Sequence, residues 1–160
     1  MTPEFAQSFT TRLQELVAGL HFFHLPSQSL RPPQVWQTML PVHVGEWQEG
    51  EFFPYLCWCY TTGEIGLKPH PFTVRIDAGL RVDTSTGTLA EQIQSGTADC
   101  LQLVQALRGL CKDHLFAQYK LTLPFNFQIG DRGSGLDNDT EGEQPHPYYR
   151  VRFALQFLPR

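Results

Sequence analysis

No apolar run in this chain approaches the roughly 20 residues that a membrane-spanning helix needs. The N-terminus, Met-Thr-Pro-Glu-Phe, lacks the basic start and apolar stretch of a secretory signal, so we expect an intracellular protein made in a reducing compartment. Charge is scarce: 18% of residues are charged, and 12 Lys and Arg against 16 Asp and Glu leave a formal net charge of −4. That balance gives no global electrostatic case for nucleic acid or for an anionic membrane, and neither is expected as a partner. The phosphate-cradling motifs G-x-G-x-x-G and G-x4-G-K-[ST] do not occur. Nor does G-x-S-x-G; Gly133-Ser134-Gly135 sits in a polar loop without a strand-to-helix context.

Metal-ligating residues are also few and badly spaced. Cys57-x-Cys59 is not the C-x2-C pair of a zinc knuckle, and Cys100 and Cys111 fall on a predicted helix, roughly three turns apart. All four read as buried thiols behaving as small hydrophobes. His21 and His24 lie three apart just past a helix, but His43, His70, His114 and His146 show no ligand spacing. Carboxylates concentrate in Asp131, Asp137, Asp139, Glu141 and Glu143; with Arg132 they carry a charge of −4. Asp137-x-Asp139-x-Glu141 alternates oxygens as the start of a calcium loop does. It lacks the twelve-residue register, the central Gly and the terminal Glu, and reads as a solvated loop. We therefore expect no metal, no cofactor and no enzymatic activity.

What the chain does have is aromatic residues and alternation. At 160 residues, with 41% hydrophobic and 12 Phe, 5 Tyr and 3 Trp, it suits one domain with a real core, rich in β structure or contact surface. In the stretch from Pro145 to Leu158, residues Tyr149, Val151, Phe153, Leu155 and Phe157 fall on one side of an extended chain. Tyr148, Arg150, Arg152 and Gln156 fall on the other. Upstream, Tyr119, Leu121, Leu123, Phe125, Phe127 and Ile129 alternate with Lys120, Thr122, Asn126 and Gln128. The two runs read as a hairpin joined by Gly130 to Gln144. A second hairpin combines Tyr55 to Tyr60, apolar throughout, with Phe72 to Asp83. In the latter Phe72, Val74, Ile76, Ala78, Leu80 and Val82 face one way, and Thr73, Arg75, Asp77, Arg81 and Asp83 the other.

Two helices complete the pattern. The first is expected over Pro3 to Ala18, with Thr2 as N-cap, Pro3 at the first helical position and an apolar stripe of Phe5, Phe9, Leu13, Leu16, Val17 and Leu20. The second is expected to follow Thr97 as cap and to end near His114. Its apolar face is Leu101, Val104, Leu107, Leu110 and Cys111, with Leu103 at the margin. Between His21 and Pro54 the prolines at 26, 32, 33, 41 and 54 forbid a long element; Leu40 to Val44 suits a short edge strand. Val35, Trp36 and Trp47 suit the core or an interface equally well.

The expectation is an α+β fold: a four-stranded, mostly antiparallel sheet in helix, hairpin, helix, hairpin order, with the helices packed on one face. We expect a single domain over residues 1–160, with the helix and Pro-rich connection in 1–50 and a ββαββ core in 51–160. Such a sheet leaves a polar face and two unprotected edges, which favours self-assembly. Arg75, Arg81, Lys120, Arg150 and Arg152, with Tyr148, are expected on the polar face as interaction candidates, joined by Asp137, Asp139 and Glu141 of the acidic loop. Cations and an aromatic on a sheet also suit an RNA-binding or regulatory domain. Asp77 and Asp83 share that face, however, and RNP-type aromatic motifs and the βαββαβ order are missing.

Several segments, in this order, carry a family resemblance: Phe53-Pro54-Tyr55, Phe72-Thr-Val-Arg-Ile76, Asp99-x-x-Gln-Leu103-Val-Gln-x-Leu-Arg108, Tyr119-Lys-Leu-Thr-Leu-Pro-Phe125 and Gln144-Pro-His-Pro-Tyr148-Tyr. Together they resemble the tail terminator, or tail completion, proteins of long-tailed phages and prophages, over roughly Glu51 to Arg160. The resemblance implies a small domain with helices on one side of a sheet, assembled into a six-membered ring. The ring would cap the tail tube, end its elongation and join the tail to the head's neck proteins. Its partners would be its own copies, the tube protein and a neck protein; its location, the tail or neck of a virion assembled in the bacterial cytoplasm. The acidic Asp131 to Glu143 loop and the Thr62 to Pro71 turn would be contact elements. Another head–tail neck component, such as a stopper or adaptor, fits the same ring logic.

Overall fold

Phe5 is the point on which the sheet closes. In the computed structural model, which describes residues 2–38, 40, 48–130 and 146–160, its ring lies 4.8 to 6.3 Å, centroid to centroid, from Trp58, Tyr60, Phe72, Phe116, Tyr119 and Phe157. Those residues come from five strands, so the sheet must curl around the helix that carries Phe5. That helix, α1 (Pro3–Val17), begins as its sequence demands: Thr2 Oγ1 accepts from the Phe5 N–H at 3.2 Å and proline occupies the first turn. Phe5, Phe9, Leu13 and Val17, spaced by four, form its buried line. The buried indole of Trp58 finds its acceptor on the same helix, Thr10 Oγ1, at 3.0 Å.

The chain then forms β1 (Phe22–His24) and β2 (Ser29–Arg31), an antiparallel pair of their own. Next come β3 (Gln34–Gln37), β4 (Tyr55–Gly63), β5 (Phe72–Arg81), helix α2 (Leu89–Leu107) and a 3-10 turn, Arg108–Cys111. The last strands are β6 (Leu115–Phe116), β7 (Tyr119–Leu121), β8 (Asn126–Ile129) and β9 (Tyr148–Pro159). Seven of the strands make one curled sheet, a half-barrel, in the order β3-β4-β5-β9-β7-β6, with β8 also paired to β9. β3 runs parallel to β4 and every other pairing is antiparallel. Phe72, Val74, Ile76, Ala78 and Leu80 of β5, and Tyr149, Val151, Phe153, Leu155 and Phe157 of β9, are all buried under the two helices.

The four-stranded helix, hairpin, helix, hairpin arrangement is therefore corrected to a seven-stranded mixed sheet plus a two-stranded one. Three segments account for the extra strands of the large sheet. β3 follows Pro32-Pro33, is only four residues long, and joins in parallel, so no turn announces it. β6 is too short to alternate. The run from Tyr119 to Ile129, expected as one strand, divides into β7 and β8, both on the same side of β9. Pro124 has no N–H to donate there, and between Thr122 and Asn126 the chain bulges by two residues relative to β9. The expected Leu40 to Val44 edge strand, Trp47 and the loop from Asp131 to Gln144 lie outside the described residues.

Helix α2 is also corrected. It starts at Leu89 rather than after Thr97, because Thr88 and Glu91 form a capping box. Thr88 Oγ1 accepts from Glu91 N–H at 3.3 Å, and Thr88 N–H donates to Glu91 Oε2 at 2.9 Å. With the earlier start, the buried line runs Gly96, Cys100, Leu103, Leu107; Leu101 and Cys111 face solvent. Gly96 is required by packing, since a Cβ there would overlap the Tyr149 ring of β9. Tyr149 Oη in turn bonds with His146 Nδ1 at 3.0 Å.

Candidate functional site

The even-numbered residues of β9 point away from the helices, and the register brings charged neighbours beside them. Arg152 stands opposite Asp77 of β5 and Gln128 of β8, while Asp77 stands opposite Cys57 of β4 and Cys57 opposite Trp36 of β3. One row of five residues thus crosses five strands on the face opposite the helices. In its middle Asp77 Oδ1 accepts from Arg152 Nε at 2.6 Å and Asp77 Oδ2 from Arg75 Nε at 2.8 Å. A single carboxylate holds two guanidinium groups, both half-exposed.

On one side of this row, Gly79 leaves room for the rings of Tyr55 and Phe53, which a Cβ at that position would strike. A cavity of about 140 Å³ opens there among Tyr55, Asp77, Gln128, Gly130, Arg150 and Arg152. The buried Gln128 Nε2 has no hydrogen-bond partner among the described residues. On the other side lies a wider groove, bounded by Arg75, Arg152, Asn126 and Gln156. At its border Thr61 and Thr73, with Thr62, form a hydroxyl cluster where the β4–β5 register shifts.

The candidates expected from sequence divide accordingly. Arg75, Arg150 and Arg152 come together on this face with Asp77 between two of them. Lys120, on β7, is exposed opposite Leu158 at the far end of the face, beside His114 and Leu123. Arg81 behaves differently from its place in the alternation: it is only 5% exposed. Its guanidinium lies 6.0 Å from the Phe23 ring centroid and 5.6 Å from that of Tyr148, donates to the Val82 carbonyl at 3.0 Å and sits 3.5 Å from Glu49. Tyr148 donates to Glu49 Oε1 at 2.9 Å and packs on Phe53. Arg81 and Tyr148 thus anchor the end of β5 and β9 to the β1 strand and the Glu49–Gly50 turn. Asp137, Asp139 and Glu141 lie outside the described residues.

The sequence reading did not single out Tyr55, Gln128, Asn126 or Ala154 as parts of a site. Ala154 carried a signal, being the one small side chain in β9. Burial pushes Cys100 up to about 12, and burial, then Cys59 and Asp77, raises Cys57 above its ordinary value, which makes both poor nucleophiles. Asp99, half-buried on α2 with no hydrogen bond or ion pair among the described residues, is pushed up to about 6 by burial. Among the described residues no three His, Cys, Asp or Glu side chains are grouped to hold a metal ion. No helix in the described residues is long and apolar enough to cross a membrane. No protein-family model matches this chain, and no curated protein matches it in sequence.

Proposed function

We propose that this chain is a structural subunit that closes into a ring at the head-proximal end of a phage tail tube, ends tube elongation and joins the tail to the neck. The observation that carries the reading is the pair of unlike sheet edges. Among the described residues, one side of the sheet ends in β3, which pairs only with β4; the other ends in β8, which pairs only with β9, and β6, which pairs only with β7. An edge of one kind on one side and another kind on the other favours head-to-tail contact between copies, and such contact closes into a ring when the rotation per subunit divides a full turn. The resemblance of the segments from Phe53 to Tyr149 to tail terminators supplies the six-membered ring and the tube as partner. A fixed row of charge on the exposed face supports recognition rather than catalysis, and the role needs no chemical step. On this reading the protein sits in the tail or neck of the virion after assembly in the host cytoplasm.

The test is mass in solution by light scattering on a sizing column, for the chain alone and mixed with tail tube subunits encoded beside it. We expect a species of six times the 18.3 kDa chain, alone or once tube subunits are present, and tubes of limited length. A chain that stays monomeric with tube subunits and leaves tube length unchanged overturns the proposal. Ring formation with a neck protein but not with the tube would instead assign it to a stopper or adaptor.

A further inference from the structure

The groove beside the charged row measures about 540 Å³ and runs across the strands rather than along them. Its floor is Ala154 of β9, flanked in register by Arg75 of β5 and Asn126 of β8. Arg152 completes one wall; Thr73, Gln156 and Thr122 form the other, and Thr61, Pro124 and Phe125 bound the ends. Among the described residues no acidic side chain lines it.

Three features give the groove a chemical preference. Arg75 and Arg152 are each tied to Asp77 through Nε alone, so their Nη groups make no hydrogen bond or ion pair among the described residues. Asp77 fixes both guanidiniums in place, which lowers the ordering cost when a ligand arrives. Thr122 Oγ1 is buried on the opposite wall with no hydrogen-bond partner among the described residues. Donors therefore exceed acceptors, and the complementary ligand is an oxyanion. Amides at Asn126 and Gln156, with apolar surface at Pro124 and Phe125, suit a peptide main chain. Nucleic acid is disfavoured, because among the described lining residues Phe125 is the one aromatic, too few for a row of stacked bases.

We propose that this groove binds a carboxylate side chain from an acidic peptide segment of a partner protein, clamped between the Nη groups of Arg75 and Arg152 over Ala154. The inference stands independently of ring formation. It is tested by following the side-chain Nε–Hε resonances of Arg75 and Arg152 at low salt while titrating hexaglutamate, hexaglutamine or inorganic phosphate. Hexaglutamate should shift both resonances saturably, and hexaglutamine should not. Asn126→Asp, an exposed change on the wall, should weaken hexaglutamate by about five-fold or more through like-charge repulsion. Ala154→Phe should abolish the shifts by filling the floor; if that variant does not keep the wild-type amide spectrum, Asn126→Asp decides. No saturable shift, equal shifts with hexaglutamine, or tighter binding of phosphate than of hexaglutamate overturns the proposal.

Discussion

Arg152 donates from Nε to Oδ1 of Asp77 at 2.6 Å across the β5–β9 pair, and Arg75 takes the other carboxylate oxygen at 2.8 Å. The carboxylate separates two like charges that the register places side by side. Half-exposed pairs of this kind contribute little each, about 0.2–1 kcal/mol. Asp77→Asn removes two of them and leaves the arginines to repel. We expect a loss of about 1 kcal/mol in urea unfolding at low salt, shrinking as salt screens the pairs. A loss that does not change with salt would assign the effect to packing instead.

Gly96 and Tyr149 set the distance between α2 and the sheet. Alanine is the better helix former by about 1 kcal/mol. A Cβ at this position, however, would overlap a Tyr149 ring that is buried and tied to His146. The clash should win, so Gly96→Ala is expected to destabilise by about 1–3 kcal/mol. Thermal unfolding of the variant measures this, and a raised midpoint would show that the helix has room to move.

Asp99 makes stability depend on pH in the direction opposite to most carboxylates. Burial raises its folded pKa to about 6 from 3.8, so between those values the folded protein holds the proton more tightly than the unfolded chain. Stability contributed by this group is greatest below the unfolded pKa and declines as pH rises to about 6, beyond which the penalty is constant. Asp99→Asn should therefore raise stability at pH 7 by about 1–2 kcal/mol, with little gain at pH 4. Denaturant midpoints at the two pH values give the answer; an equal gain at both would mean that Asp99 does not titrate as described.

Sequence alternation made the faces of β5 and β9 legible, because alternate residues from Phe72 to Val82 and from Tyr149 to Phe157 are buried under one set of helices, with Gly79 and Arg81 buried out of phase. The α1 stripe was legible for the same reason. The start of α2 was present in Thr88-x-x-Glu91, but its first turns contact the sheet through Gly96, and a glycine gives no apolar signal. Arg81 looked solvent-facing because local alternation says nothing about β1 and the Glu49–Gly50 turn folding over the strand end. The groove was the least legible feature. Arg75, Ala154 and Asn126 meet only through the register of three strands, and the two-residue bulge at Pro124 sets that register on one side.

Phe127 is the residue on which the ring contact can be tested without unfolding the chain. It lies opposite Phe153 in the β8–β9 register, their ring centroids 6.3 Å apart, yet it remains 50% exposed. Its strand is an edge among the described residues, so nothing there covers its outer side. A lysine on an edge strand keeps its stem on the sheet and its charge in water, and discourages pairing with another edge. Phe127→Lys should thus change the unfolding free energy of the isolated chain by about 1 kcal/mol or less. If β8 joins the β3 edge of the next copy, the same variant should raise the concentration needed for self-association and lengthen tubes grown in its presence. Sedimentation across a concentration range, with tube lengths by negative stain, checks both. Unchanged association with an intact fold would place the contact on another surface.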